Sequence, residues 1–307
     1  MMERLQEGSE SNLSPSSAAQ QPKQLWEVWP GRNQPVCGGS CFCGPDLGIW
    51  MISVSLISVP SLLFAVFVAP KVSVALSVLV IPFWFASLFL LCKASFTEPG
   101  ILPRGIPDTS IDLENPPTIQ VEGESMIRLR YCPTCHIWRP PRSKHCRDCD
   151  NCVDSFDHHC PWISNCVGLR NYRYFVGFIF ATTALCVYVF FVSAVHFGIQ
   201  VQQSSDFSSV ISQYPFTSGI MIFCFLMGWC LCSLTCFHCH LIANDQTTNE
   251  RIKSEARTRE NPGYCSNLRD MFCVPVPPSK IDLQRHVDPK DQAYPPLTLR
   301  RPFGQDH

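Results

Sequence analysis

Residues 132–166 read CPTCHIWRPPRSKHCRDCDNCVDSFDHHCPWISNC, and the fold follows from how these cysteines and histidines divide. Cys132, Cys135, His145 and Cys152 are spaced C-x2-C-x9-H-x6-C, and fourteen residues further on Cys146, Cys149, His159 and Cys166 repeat the spacing. Three thiolates and one imidazole complete a tetrahedral set, which is the ligand set of a structural zinc site. Two structural Zn2+ ions are therefore expected. The second unit starts before the first ends, so the sites should interleave and brace one compact, strand-poor module. The stretch has few apolar residues for a core, and a structural zinc supplies about 10–16 kcal/mol of apparent binding energy to folding.

Eight ligands leave one cysteine over. Under the fourteen-residue shift Cys160 stands where a third unit would begin, but Ile163 replaces its C-x2-C partner and Arg173 the histidine. His158 aligns with Lys144, a position that is not a ligand. A free cysteine beside a spare histidine and Asp157 has the composition of an activated thiol: the histidine accepts the proton and the carboxylate orients it. The competing reading makes Cys160 an alternative ligand and His158 a solvent-exposed residue.

Four runs nearly free of charge surround this module, at 47–68, 72–92, 175–197 and 219–242. Each has the ~20 residues needed to cross a bilayer as a helix. The expected fold is an all-α polytopic membrane protein with four transmembrane helices and a cytosolic double-zinc cysteine-rich domain between helices 2 and 3. Overall numbers would not disclose this, since the 307-residue chain carries 24 Lys and Arg against 25 Asp and Glu and is 46% hydrophobic. His238 and His240, in the last turn of the fourth run, are expected at the membrane interface.

All but one of the 24 basic residues lie in the tails and the central loop; the short link 69–71 holds Lys71, and 198–218 holds none. The positive-inside rule then puts both termini and the central loop in the cytosol. The expected division is a largely disordered cytosolic tail over 1–46, helices 1 and 2 over 47–92, and the cytosolic catalytic domain over 93–174. Helices 3 and 4 occupy 175–242 with a lumenal loop at 198–218, followed by a cytosolic tail over 243–307. No cleavable signal peptide is visible before residue 47. Seven of the 19 cysteines lie in the loop, where reducing conditions favour metal binding or thiol chemistry over disulfides.

At these residues the sequence resembles the DHHC family of protein S-acyltransferases, membrane enzymes that palmitoylate cysteines. The resemblance is carried by C-x2-C, by RPPR at 139–142, by His145-Cys146, by the tetrad Asp157-His158-His159-Cys160 and by PWxxNCVGxxNYRYF. TEPG at 97–100 is similar to the family's Asp-Pro-Gly turn, with Glu98 for aspartate, and TTNE at 247–250 matches its Thr-Thr-x-Glu element. A later aromatic and asparagine element, NPGYCSNLRDMF at 261–272, is shortened between Pro262 and Asn267. The wording is closest to the branch that includes Ras palmitoyltransferases, whose members can require an accessory subunit.

The resemblance implies a protein S-palmitoyltransferase working through an acyl-enzyme thioester on Cys160, with His158 as base and Asp157 orienting it. Palmitoyl-CoA or another long-chain acyl-CoA is the implied donor. The partners it implies are protein substrates with membrane-proximal cysteines and, as a hypothesis, an accessory subunit; no nucleic acid is expected. An integral endomembrane location is implied, in the Golgi or endoplasmic reticulum, with the active site cytosolic. Arg139, Arg142, Lys144, Arg147, Arg170 and Arg173 cluster around the module, as CoA phosphate ligands or as ordinary positive-inside charge. Cys37, Cys41 and Cys43 precede the first span, as lipidation sites or as an unmodified linker. VPVPP at 274–278 and YPPL at 294–297 read as extended linker or docking segments. The competing function is a membrane-anchored zinc-binding adaptor or ubiquitin ligase. A transporter is disfavoured, because the spans carry almost no ionisable residues.

Overall fold

Uncharged sequence this long buries its backbone polar groups most cheaply as helix, because hydrocarbon offers them no other partners. The computed structural model, which describes residues 23–108, 110–120, 126–204, 206–254 and 261–287, has four helices long and apolar enough to cross a membrane. The first runs over Leu47–Leu63, widens into a π turn at Phe64–Val68 and closes with Ala69–Val72. Pro60, which has no N–H to donate, lies one turn before the widening. The other spans are Val74–Phe96, Tyr172–Gln203 and Pro215–Ala243.

The link expected at 69–71 is itself helical, and only Ser73 separates the first two spans. Much of 198–218 is helical as well. The third span continues to Gln203, and a short helix, Phe207–Gln213, follows Asp206, whose carboxylate accepts from the N–H groups of Ser208 and Ser209. At 1.5 Å per residue the 32-residue third span is about 48 Å long. That exceeds the ~30 Å hydrocarbon core, so its ends reach beyond it.

The third span is the centre of the bundle and packs along both the second and the fourth. Its Phe175, Val176, Ile179, Leu185 and Val189 meet Phe64 and Val68 of the first span and Leu91 of the second in one apolar core. Polar contacts also join the helices: Thr183 and Thr235 share a hydrogen bond of 2.9 Å, and Tyr188 Oη donates to Leu76 O at 2.8 Å.

The cysteine-rich module is richer in strand than the sequence suggests. Three antiparallel hairpins follow one another: Arg130–Cys132 with Ile137–Arg139, Lys144–Cys146 with Asn151–Val153, and His158–Cys160 with Asn165–Val167. They recur at the fourteen-residue period of the ligand repeat. Each turn also carries a left-handed residue at the same place, His136, Asp150 and Ser164. The repeat thus encodes a hairpin as well as a ligand pattern, and a third hairpin exists although a third ligand set does not.

Two buried asparagines seat the third hairpin on the bundle. Asn165 Nδ2 donates to Ser95 O at 2.9 Å and Asn171 Nδ2 to Ala94 O at 3.0 Å, both at the end of the second span. Ser53 Oγ of the first span donates to Trp162 O at 2.8 Å.

The described terminal segments, 23–46 and 274–287, also pack on the module. Lys23–Gln24 pairs with His286–Val287, and Leu25, Phe42, Ile281 and Leu283 pack against Cys146, Cys149 and Cys166. Residues 23–46 are therefore folded, against the expectation of a largely disordered tail, because their apolar side chains find this surface. VPVPP is docked rather than free: Arg173 Nη2 donates to Val274 O at 2.6 Å and Arg170 Nε to Pro277 O at 2.9 Å. Of the three juxtamembrane cysteines, Cys43 is buried and Cys37 is exposed in a hairpin turn. Residues 1–22 and YPPL at 294–297 lie outside the described residues.

Candidate active site

Side chains alternate between the faces of a strand, and this rule divides the tetrad. In the third hairpin His159 stands opposite Cys166, and both turn to the second metal group. His158 and Cys160, one residue to either side, take the opposite face. The adjacent histidines are therefore separated by strand geometry.

The eight expected metal ligands assemble into two groups, Cys132, Cys135, His145 and Cys152, and Cys146, Cys149, His159 and Cys166, with the ligand atoms of each within 4.8 Å of one another. Each group takes its C-x2-C pair from the turn of one hairpin and its His–Cys pair from directly opposed positions in the next. His145 Nδ1 is 3.4 Å from Cys135 Sγ and 3.9 Å from Cys152 Sγ; His159 Nδ1 is 3.4 Å from Cys149 Sγ and 3.6 Å from Cys166 Sγ. Metal–ligand bonds of about 2.3 Å to sulfur and 2.0–2.1 Å to nitrogen place tetrahedral ligand atoms at about these separations. Both groups fit a metal ion without rearrangement.

Behind each ligand histidine is a carboxylate. His159 Nε2 lies 2.8 Å from Asp46 Oδ2, and His145 Nε2 lies 3.4 Å from Asp150 Oδ1. Such partners leave Nδ1 for the metal and fix the ring. Asp46 opens the first span, so the second group is tied to the membrane bundle.

Just before the strand, Asp157 is 1% exposed, and its Oδ2 lies 2.7 Å from His158 Nδ1 on the other face. Its second oxygen accepts from the backbone N–H of Thr248 at 2.8 Å. Burial disfavours the carboxylate, but His158 and Thr248 outweigh it and hold the group below its ordinary pKa. Burial also disfavours the His158 imidazolium; the Asp157 carboxylate and the Cys160 thiol prevail, and the pKa is pushed up to about 9. With Nδ1 given to Asp157, Nε2 is the nitrogen left for the thiol. Cys160 is 8% exposed and belongs to the apolar cluster that continues through Ile163, Val167, Phe175 and Val176 into the bundle. Cys160, His158 and Asp157 thus meet at the mouth of the four helices.

The TTNE element buttresses this arrangement. Thr247 and Glu250 form a reciprocal capping box at the start of Thr248–Lys253. Glu250 then takes two hydrogen bonds from Arg142, at 2.9 and 3.1 Å, while Arg142 also reaches Asp245 at 3.2 Å. Glu98 does in TEPG what a turn carboxylate must: its Oε1 accepts from the N–H groups of Gly100 and Ile101, and Oε2 meets Arg170 at 2.5 Å and Ser279 Oγ at 2.8 Å. Gly100 needs its lack of a side chain, with φ at 109°. Asn267 of the shortened element donates to Ile242 O at 2.9 Å, so that element is packed on the end of the fourth span.

Of the six basic residues considered for CoA, Arg142, Arg170 and Arg173 are engaged within the protein, and Lys144 Nζ donates to Asn249 Oδ1 at 2.9 Å. Arg139 Nε donates to Arg130 O at the long distance of 3.4 Å, and Arg147 is exposed. His238, expected at the interface, is 1% exposed and sits beside His158. That Asp46, the Thr248 N–H and His238 contact the tetrad escaped the sequence reading. Asp46 had only the weak signal of an aspartate just before an apolar run.

Residues 125–255 match the family model described as DHHC palmitoyltransferase. Palmitoyltransferase ZDHHC18 of Homo sapiens is 35% identical over 300 residues, covering 88% of this chain and 77% of that protein. Palmitoyltransferase ZDHHC18-A of Danio rerio is 37% identical over 301 residues, 89% of this chain and 64% of its own length. Protein S-acyltransferase 8 of Arabidopsis thaliana is 34% identical over 311 residues, 91% of this chain and 75% of that one. A four-helix membrane-type bundle with paired Cys/His metal groups ahead of its third helix thus defines a class of acyltransferases. The chain belongs to the DHHC palmitoyltransferase family.

Proposed function

We propose that this chain transfers a long-chain acyl group from acyl-CoA to protein cysteines through a thioester on Cys160. One observation carries the reading: Cys160 shares a strand face with His158, which is paired with Asp157, and opens onto the apolar interior of the bundle. In the first step the Cys160 thiolate, its proton on His158, attacks the thioester carbonyl, the C–S bond to CoA breaks, and CoA leaves with the electron pair and takes the proton from His158. In the second step a substrate cysteine, deprotonated by His158, attacks the Cys160 thioester and the Cys160 thiolate departs. Nε2 of His158 accepts a proton in each step, passing the first to the leaving CoA and keeping the second beside the regenerated Cys160 thiolate, while Asp157 fixes Nδ1. Exposing the acyl chain to water costs about 0.8 kcal/mol per CH₂, so a thiol at the mouth of a bundle lets the chain remain among the helices while CoA stays in water.

The metal in this reading is zinc, held by Cys132, Cys135, His145 and Cys152 and by Cys146, Cys149, His159 and Cys166. It is structural, because each group already supplies four protein ligands. The distribution of basic residues supports a cytosolic position for the hairpins and for the described terminal segments. A glycosylation acceptor inserted at 198–218 would then be modified, and one near Ser110 would not. An endomembrane location, protein substrates with membrane-proximal cysteines and a need for an accessory subunit complete the reading. Full, stable autoacylation of the chain purified alone would remove the accessory subunit.

The deciding experiment incubates the purified protein with labelled palmitoyl-CoA and looks for a hydroxylamine-sensitive thioester. Label is expected on the wild type and absent from Cys160→Ser. Undiminished label on Cys160→Ser would reject Cys160 as the acceptor.

A further inference from the structure

Beneath His158 three rings form a triangle. The His158 and Phe175 centroids are 5.3 Å apart, edge to face; Phe175 and His238 are 5.1 Å apart, also edge to face; and His238 and His158 are 6.3 Å apart and tilted by 42°. His238 Nδ1 is 3.2 Å from Tyr172 Oη. Phe175 and Tyr172 come from the third span and His238 from near the end of the fourth.

An imidazole buried to 1% exposure is an expensive way to fill space, because burying its nitrogens costs free energy unless they are hydrogen-bonded. A phenyl ring would pack there without that cost. What the imidazole adds is a hydrogen bond to Tyr172 that fixes the tilt of its ring, and that ring forms one wall against His158. The fourth span also leads directly into the Thr248 N–H that holds Asp157. One stretch of chain, from the end of the fourth span into Thr248–Lys253, therefore supports both members of the pair, His158 through a ring and Asp157 through a backbone donor.

We infer that His238 is a positioning residue for acyl transfer, held by Tyr172 and setting the orientation of His158 toward Cys160. The inference rests on the reading of His158 as the base. Misplacing a catalytic group by about 1 Å can cost on the order of 10²-fold in rate. Losing one anchor of a ring still flanked by Phe175 should cost less, about 10-fold.

The test compares His238→Phe, Tyr172→Phe and the double variant in full-length protein with both metal groups filled. Turnover of labelled palmitoyl-CoA into a substrate peptide is expressed per acylatable Cys160. Expected is a fall in kcat of about 10-fold in each single variant, with KM for palmitoyl-CoA and metal content unchanged. The double variant should fall no further, because both changes break the same bond. A purely structural role would lower the number of acylatable sites and leave kcat per site at the wild-type value, which would overturn the inference; so would fully multiplicative losses in the double variant. If the phenyl variants do not accumulate, His238→Asn is measured in the same way, and wild-type kcat in it counts against the inference. His158→Ala is run alongside. If it keeps full activity, the base assignment itself is wrong; if it loses activity while His238→Phe does not, only the role of His238 falls.

Discussion

Asp46 and His159 are 113 residues apart in sequence and meet at 2.8 Å, carboxylate to imidazole Nε2. The contact joins the start of the first span to a ligand of the second metal group. Partners of this kind fix the ligand ring and raise its basicity, and losing them commonly costs 10–100-fold in metal affinity. Asp46→Ala should weaken zinc at the second group by about that factor and leave the first group unchanged. Competition with a chelator reads this directly, and two equally tight zinc ions in Asp46→Ala would rule out the support.

The Arg142 guanidinium lies between Glu250 and Asp245 with little exposure, and these carboxylates overcome the burial that opposes its charge. Removing one partner of a buried ion pair typically costs about 3–5 kcal/mol, because the other charge stays buried without compensation. Arg142→Ala should therefore be strongly destabilising, while Glu250→Gln, which keeps a hydrogen-bond acceptor, should be milder. Thermal unfolding in detergent orders the two; equal midpoints would show that the pair contributes no net stability.

Glu98 serves four partners at once, two backbone N–H groups, Arg170 and Ser279. Hydrogen bonds to a charged group contribute about 1.5–3 kcal/mol each. Glu98→Ala should lower the unfolding midpoint and also release the segment that carries Ile281 and Leu283 from the second metal group. Limited proteolysis after Ser279 is the measurement, with faster cleavage expected in Glu98→Ala. Glu98→Asp should fall between the two, since the shorter side chain keeps its charge but cannot reach every partner.

The elements legible in the sequence are those with a period or a fixed spacing. The four spans show as long uncharged runs, and the two ligand sets show because the repeat places them fourteen residues apart. The hairpins were invisible because each strand is three residues long, too short for alternation to register. The same shortness hid the reason why His158 and His159 diverge, although the repeat had already separated them. Asp46, Thr248 and His238 lie far from the motif in sequence and are brought to it only by the packing of the first and fourth spans. Arg170 and Arg173 are clear as charges, but the carbonyls that occupy them come from a segment about a hundred residues away.

His158 and His159 provide the sharpest test of the assignment, since they are the same residue type on opposite faces of one strand. His159 is within 3.6 Å of Cys166 Sγ and 3.4 Å of Cys149 Sγ, so His159→Ala removes a ligand. It should lower zinc from about two ions per chain toward one and destabilise the third hairpin, in line with the ~10 kcal/mol or more that a structural zinc contributes. Loss of activity in that variant would follow from loss of structure. His158 makes its contacts with Asp157, Phe175 and His238 and lies outside both metal groups. His158→Ala should keep both ions and a folded module while acyl transfer falls by about 10²-fold or more, the range for removing a general base. Metal analysis of the two purified variants, paired with autoacylation and transfer assays, separates the outcomes. Zinc lost from His158→Ala and retained in His159→Ala would reverse the ligand assignment, and Cys160 and His158 would no longer stand as the spare pair.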